Sequence, residues 1–169
     1  VLIAPIEFTR THLPIVQGFE CGEEVWSRLA ADWIKSAPPF PGALKSIIER
    51  GNTVWLYMLE DCVVGFASLG TTMWEIPPPP DVKQEILYIP MMAVASAFQG
   101  KPDTRPRYAE QILGHVIEEA RDRDNGLLGL LVSSGNRRAM RLYERVGFKA
   151  SDHLYRLRGH EFYRMFLRL

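Results

Sequence analysis

Between Asn136 and Gly147 the residues able to do chemistry recur at helical steps. Asn136, Ala139, Met140 and Tyr143 fall three or four apart and share one helical face. A phenol with an ordinary pKa of about 10 stays protonated at neutral pH and can donate its proton. Spacing alone reads Tyr143, beside Leu142 and Val146, more readily as a core residue than as an acid. Arg137, Arg138, Arg141 and Arg145 decorate the other faces. From Ser134 to Leu169 nine basic residues stand against three acidic ones, although the whole chain carries 20 of each sign. That asymmetry points to an anionic ligand near the C-terminal part, or to a solvated basic face.

A helix there must be held by its neighbours. Ser133, Ser134 or Asn136 can cap its N-terminus, and Gly147 suits the left-handed position after its end. "LLGLLV", Leu127–Val132, has no polar alternation and reads as a fully buried strand. Upstream, "RYAEQILGHVIEEARDRD" sets Tyr108, Ile112, Val116, Ile117 and Ala120 on one face of a long helix. "EILYIPMMAVAS" is a strand with Pro90 in its middle, where a ladder hydrogen bond is missing and the strand must bulge or splay. "NTVWLYMLEDCVVGFASLG" reads as a hairpin turning at Glu60-Asp61, and "EIPPPPDVKQ" as an exposed loop, because successive prolines remove backbone donors. "LIAPIEF" gives a first strand, "GEEVWSRLAADWIKSA" and "ALKSIIERG" two helices, and "HLYRLRGHEFYRMFLRL" two last strands around Arg158-Gly159. The order is that of an α+β protein: a mixed, mostly antiparallel sheet of six or seven strands with about four helices.

With 169 residues, 47% of them hydrophobic, residues 1–169 fit one domain with a sizeable core. Cys21 and Cys62 form no CxxC pair and suit a reducing, cytoplasmic setting. His12, His115, His153 and His160 lack ligand spacing, so no metal is expected. No apolar run is long enough for a membrane helix, and "VLIAPIEFTRTH" lacks a charged stretch before a long apolar one, so neither membrane nor export is indicated.

Taken together, "NRRAMRLYERVGF" after a buried strand and before a hairpin resembles the N-xx-A-xx-LYE-x-x-GF signature of the GCN5-related N-acetyltransferase (GNAT) superfamily. "MMAV" followed by "FQGK" and a helix is similar to that family's acetyl-coenzyme A region, and "FECGEEVWSRLAADWI" to the opening of a subgroup related to acetyltransferase toxins. The resemblance implies the GNAT fold, with a splayed strand pair at the cofactor site, and acetyl transfer from acetyl-coenzyme A to a primary amine by direct attack in a ternary complex. It implies Tyr143 as the general acid for the departing thiolate. Met92, Ala93 and Val94 match the positions whose backbone groups bond the pantetheine arm and thioester, and Asn136 and Ala139 match cofactor contacts on the helix.

The pyrophosphate loop departs from the family's Q/R-x-x-G-x-G/A. "QGKPDTRPRYA" takes eleven positions, Gln99 to Ala109, and Pro102 and Pro106 remove two donors. Gln99 and Gly100 open it and Tyr108 and Ala109 close it; Lys101, Arg105 and Arg107 can replace lost amide contacts by charge-assisted bonds to phosphate. A lysine amine, with a pKa of about 10.4, calls for a base, for which Glu85 is a candidate that reads equally as a solvated strand-end carboxylate; an α-amine, near about 7.7–8.0, needs less help. The acceptor is expected to be a small-molecule or peptide amine. Alternatives are the α-amine of aminoacyl-tRNA, as in the toxin-like subgroup, and a silent acyl-coenzyme A binding domain; a homodimer is left open.

Overall fold

The computed structural model describes residues 3–21, 40–76, 82–100, 107–123, 125–157 and 159–169. The helix expected over "GEEVWSRLAADWIKSA" and the prolines at 77–80 lie outside the described residues. The described ones gather into two compact units, Val1–Ser68 with Met91–Val116, and Leu69–Pro90 with Ile117–Leu169.

In the first unit, β1 (Ala4–Glu7) pairs antiparallel with β2 (Thr53–Leu59), Ala4 opposite Met58 and Glu7 opposite Trp55. β2 turns at Glu60-Asp61 into β3 (Cys62–Ile76), with Glu60 at a left-handed φ of 53°. β5 (Met92–Val94) lies on the other side of β3, Gly65 opposite Val94 and Ala67 opposite Met92. α1 (Phe40–Glu49) starts earlier than expected because Pro41 is tolerated in a first turn, where its missing N–H would have no helical partner. It ends at Gly51, φ 84°, where the Asn52 side chain donates to the Ile47 carbonyl at 2.9 Å. Leu44 and Ile47 pack with Val54, Leu56, Phe66 and Met91 into one core. α2 (Tyr108–Arg121) buries Ile112 and Val116, as its spacing predicts.

In the second unit the far half of β3 pairs with β4 (Val82–Ile89), Gly70 opposite Tyr88 and Trp74 opposite Gln84. β4 runs parallel to β6 (Leu127–Ser133), which is antiparallel to β8 (His160–Arg168), and β7 (Lys149–Leu157) forms the edge. α3 (Arg137–Arg145) connects β6 to β7. The chain is α+β with a mixed, mostly antiparallel sheet, and eight strands are described in place of six or seven, because the Pro90 break divides one expected strand into β4 and β5. "EIPPPPDVKQ" is not all loop: Glu75 and Ile76 end β3, and Val82, Lys83 and Gln84 begin β4. β6 is not uniformly buried either, since alternation leaves Leu127 and Leu131 half-buried.

Candidate active site

Pro90 supplies no N–H, and the chain restarts one residue later under the control of Ser68. The Ser68 N–H donates to the Met91 carbonyl at 2.9 Å, and its buried hydroxyl accepts from the Met91 N–H at 3.1 Å. Further along, the Ala95 N–H donates to the Val64 carbonyl at 2.8 Å. Antiparallel pairs alternate between bonded and non-bonded, so Met91, Ala93 and Ala95 direct their backbone groups at β3 and Met92 and Val94 direct theirs away from it. The amide and carbonyl of Ala93 thus face the β3 ladder, and the groups directed away from it are those of Met92 and Val94.

The Val94 carbonyl is itself bonded. Gln99 Nε2 donates to it at 2.6 Å and to the Cys21 carbonyl at 3.1 Å. The side chain expected to open a phosphate loop therefore ties the end of β5 to Cys21, whose thiol burial pushes up to about 11. Gly100 follows in a left-handed turn, φ 67°. Lys101 and Arg105 lie outside the described residues. Arg107 is exposed immediately before α2; its carbonyl accepts from the Glu110 and Gln111 N–H groups, and its guanidinium lies 3.6 Å from Glu110. Tyr108 and Ala109 lie in the first turn of α2, the part of a helix whose amides lack an intrahelical acceptor. The Tyr108 ring stands edge-on to Phe98 at 5.7 Å.

In the second unit α3 is fixed at both ends. Asn136 caps it: Oδ1 accepts from the Ala139 N–H at 3.2 Å. At the other end the Phe148 N–H donates to the Tyr143 carbonyl and the Gly147 N–H to the Glu144 carbonyl, both at 3.0 Å, with Gly147 at φ 102°. This closure sets the Phe148 ring 5.8 Å from the Tyr143 ring. Tyr143 is 9% exposed, and burial pushes its phenol up to about 12. Among the described residues the phenol makes no hydrogen bond. Glu85 is exposed, opposite Met73 on the face of the sheet away from Trp74 and Tyr88. Thus Met92, Val94, Gln99, Gly100, Arg107, Tyr108 and Ala109 belong to the first unit, and Glu85, Asn136, Ala139 and Tyr143 to the second.

Two positions were missed by the sequence reading. A Cβ on Gly65 would stand 2.5 Å from the Ala93 carbonyl oxygen, so β5 can lie against β3 only over a glycine; an isolated glycine inside "VVGFA" was the available signal. Ser68, which anchors Met91, carried none.

The acetyltransferase (GNAT) family model matches residues 21–148, well over half of the chain, and the chain belongs to that family of enzymes. Solved structures share its fold. The ribosomal-protein-alanine N-acetyltransferase of Brucella melitensis matches with a TM-score of 0.70 at 21% identity, covering 98% of this chain and 99% of that one. NAA60 of Arabidopsis thaliana, solved in complex with acetyl-CoA, gives 0.67 at 13%, covering 99% and 98%. yncA of Salmonella typhimurium, solved with its cofactor acetyl-CoA, gives 0.66 at 18%, covering 99% and 94%. No curated protein matches the sequence. Among the described residues no His, Cys, Asp or Glu group could hold a metal ion, and no helix is long and apolar enough to cross a membrane.

Proposed function

We propose that the chain transfers an acetyl group from acetyl-coenzyme A to a primary amine, the amine attacking the thioester directly while both substrates are bound. The observation that carries this reading is Tyr143: a buried phenol, without a hydrogen bond among the described residues, held neutral far above physiological pH. The nitrogen lone pair forms the new C–N bond at the thioester carbon and the C–S bond breaks. The departing thiolate takes the Tyr143 proton, and the nitrogen gives up its own to water or to a base. Glu85 is our candidate for that base with an acceptor of high pKa.

The residues present fit the cosubstrate. The backbone groups of Met92 and the N–H of Val94 are turned away from β3, suited to an amide-containing arm, and the start of α2 offers amides to a pyrophosphate. Arg107, with Lys101 and Arg105, replaces by charge the amides that two prolines remove. Asn136 fixes the helix that carries Ala139 and Tyr143. The structures of NAA60 and yncA with acetyl-CoA support the same choice of cosubstrate. We take the acceptor to be a small-molecule or peptide amine. Thiol release from acetyl-coenzyme A, followed with a panel of amines, tests the reading. Wild type should respond to at least one amine, and Tyr143→Phe should lower kcat by about 10²–10⁴-fold. Equal rates for the two proteins would overturn the assignment of the acid.

A further inference from the structure

One face of the second unit holds a positive charge that the described residues leave without a counter-ion. Arg164, on β8, makes cation–π contacts with two aromatic rings: its Cζ lies 5.0 Å from the Trp74 ring centre and 4.7 Å from that of Tyr155. Its Nε is buried and has no hydrogen-bond partner. Glu161, the acid on the same strand, is held by Arg156 at 2.8 Å and by alternation faces the other side of the sheet. Rings cover the faces of a guanidinium but not its donors, which all lie in its plane. The rings therefore orient the arginine; Nε is closed off, while its terminal NH2 groups have no partner among the described residues, and a partly buried charge without an opposite charge is an unfavourable arrangement to keep without a ligand.

The same face is built to hold these contacts in place. A Cβ on Gly129 would stand 2.8 Å from Trp74 and 2.7 Å from Ile86, so the missing side chain is what lets the indole lie across β6. Trp74 also meets the Tyr88 ring at 5.1 Å and the Phe166 ring at 5.5 Å and is only 8% exposed, whereas Tyr155, on the edge strand, is 38% exposed. The register locates the charge. Ile89 pairs with Leu130 and Arg164 with Leu131, which sets Arg164 level with Pro90, two strand spacings or about 10 Å away. An arginine side chain and a ligand of a few bonds span that distance.

We propose that the aromatic face of Trp74, Tyr88 and Tyr155 around Arg164 is the acceptor subsite, and that Arg164 binds a carboxylate carried by the amine substrate a few bonds from its nitrogen. The substrate class is then an amino acid, or a peptide with a carboxylate near its N-terminus; the rings take its carbon skeleton and the guanidinium edge pairs with the carboxylate in a bidentate contact. The subsite rests on the acetyl-transfer reading for its role but not for its existence.

Binding without acetyl-coenzyme A separates the two. Trp74 is one of four tryptophans, and its fluorescence should respond as the full chain is titrated with alanine against alaninamide, and with alanyl-glutamate against alanyl-glutamine, both amidated at the C-terminus so that the side-chain carboxylate is the only one. At least one carboxylate probe should bind about 10- to 100-fold more tightly than its amide. Trp74→Phe should remove most of the signal. Arg164→Gln should abolish the discrimination while leaving amide binding unchanged, and Arg164→Lys should retain part of it. In thiol release, Arg164→Gln should raise KM for the carboxylate acceptor by the same factor at constant kcat and constant KM for acetyl-coenzyme A. Equal affinity of wild type for both members of each pair overturns the subsite, a comparison that needs no variant. An equal loss on acid and amide in Arg164→Gln overturns it as well. Discrimination without thiol release from any amine supports the subsite and counts against acetyl transfer.

Discussion

Replacing Gly65 by alanine should damage the cofactor edge in a way no surface substitution can. The new Cβ would meet two atoms, the Ala93 carbonyl oxygen at 2.5 Å and Ile112 Cδ1 at 2.7 Å. The isoleucine methyl can swing aside by rotamer change, but the carbonyl belongs to the β5 backbone. Relieving it moves Ala93 by about half an ångström or more, and with it the outward groups of Met92 and Val94. Overpacking of this kind costs about 1–3 kcal/mol of stability. Misplacement by about 1 Å lowers catalysis by up to about 10²-fold, so kcat/KM for acetyl-coenzyme A should fall by about 10- to 100-fold at a temperature where the variant is folded. Urea unfolding gives the first quantity and thiol release at varied acetyl-coenzyme A the second. Gly114→Ala is the control: it sits in α2 with nothing within 4 Å of the added carbon and should gain about 0.8–1.0 kcal/mol from helix propensity alone, at unchanged KM. Wild-type kcat/KM in Gly65→Ala, or an equal loss in Gly114→Ala, would refute the reasoning.

Three further outcomes are expected. The Tyr143 phenol, pushed up from about 10 to about 12, contributes stability that is intact below pH 10 and lost as pH rises through 12; by pH 11 the loss is about 1.4 kcal/mol. Tyr143→Phe has no phenol to ionise, so the wild-type urea midpoint should fall relative to that of the variant between pH 9 and 11.5, and a constant difference would contradict the burial of a neutral phenol. Asn136→Ala removes the α3 cap and should destabilise the protein by about 0.5–2 kcal/mol in the same assay. The Arg105→Ala/Arg107→Ala pair should weaken acetyl-coenzyme A binding by at least about tenfold in calorimetry, and unchanged affinity would show that backbone amides alone hold the phosphates.

What the sequence made legible was local. The hairpin at Glu60-Asp61, the buried face of α2, the Pro90 break and the capped helix bearing Tyr143 are each set by residues within a dozen positions of one another, where periodicity and turn chemistry decide. The destination of a side chain was less legible. Gln99 was read as opening a phosphate loop, and nothing in the sequence told that its side chain would also bond a carbonyl five residues back and another at Cys21. Ala93 was grouped with Met92 and Val94, and only the register against Phe66 separates them. The Trp74–Arg164 contact joins positions 90 apart through four paired strands, β3 to β4 to β6 to β8, and no window on the sequence contains it. Its one local trace was Gly129 inside "LLGLLV".

The division of β3 between two units has a consequence for how the chain is made. Each unit is assembled from two separated stretches, and a ribosome delivers them alternately. The pairings of the first unit are complete once residue 116 has emerged, while β4 must wait for β6, about forty residues downstream, before its parallel edge is covered. During that interval β4 is an unprotected edge beside a finished neighbour, the period when a nascent chain is most exposed to mispairing. The exposed Lys83, Gln84 and Glu85 at its start are the polar residues that guard such an edge.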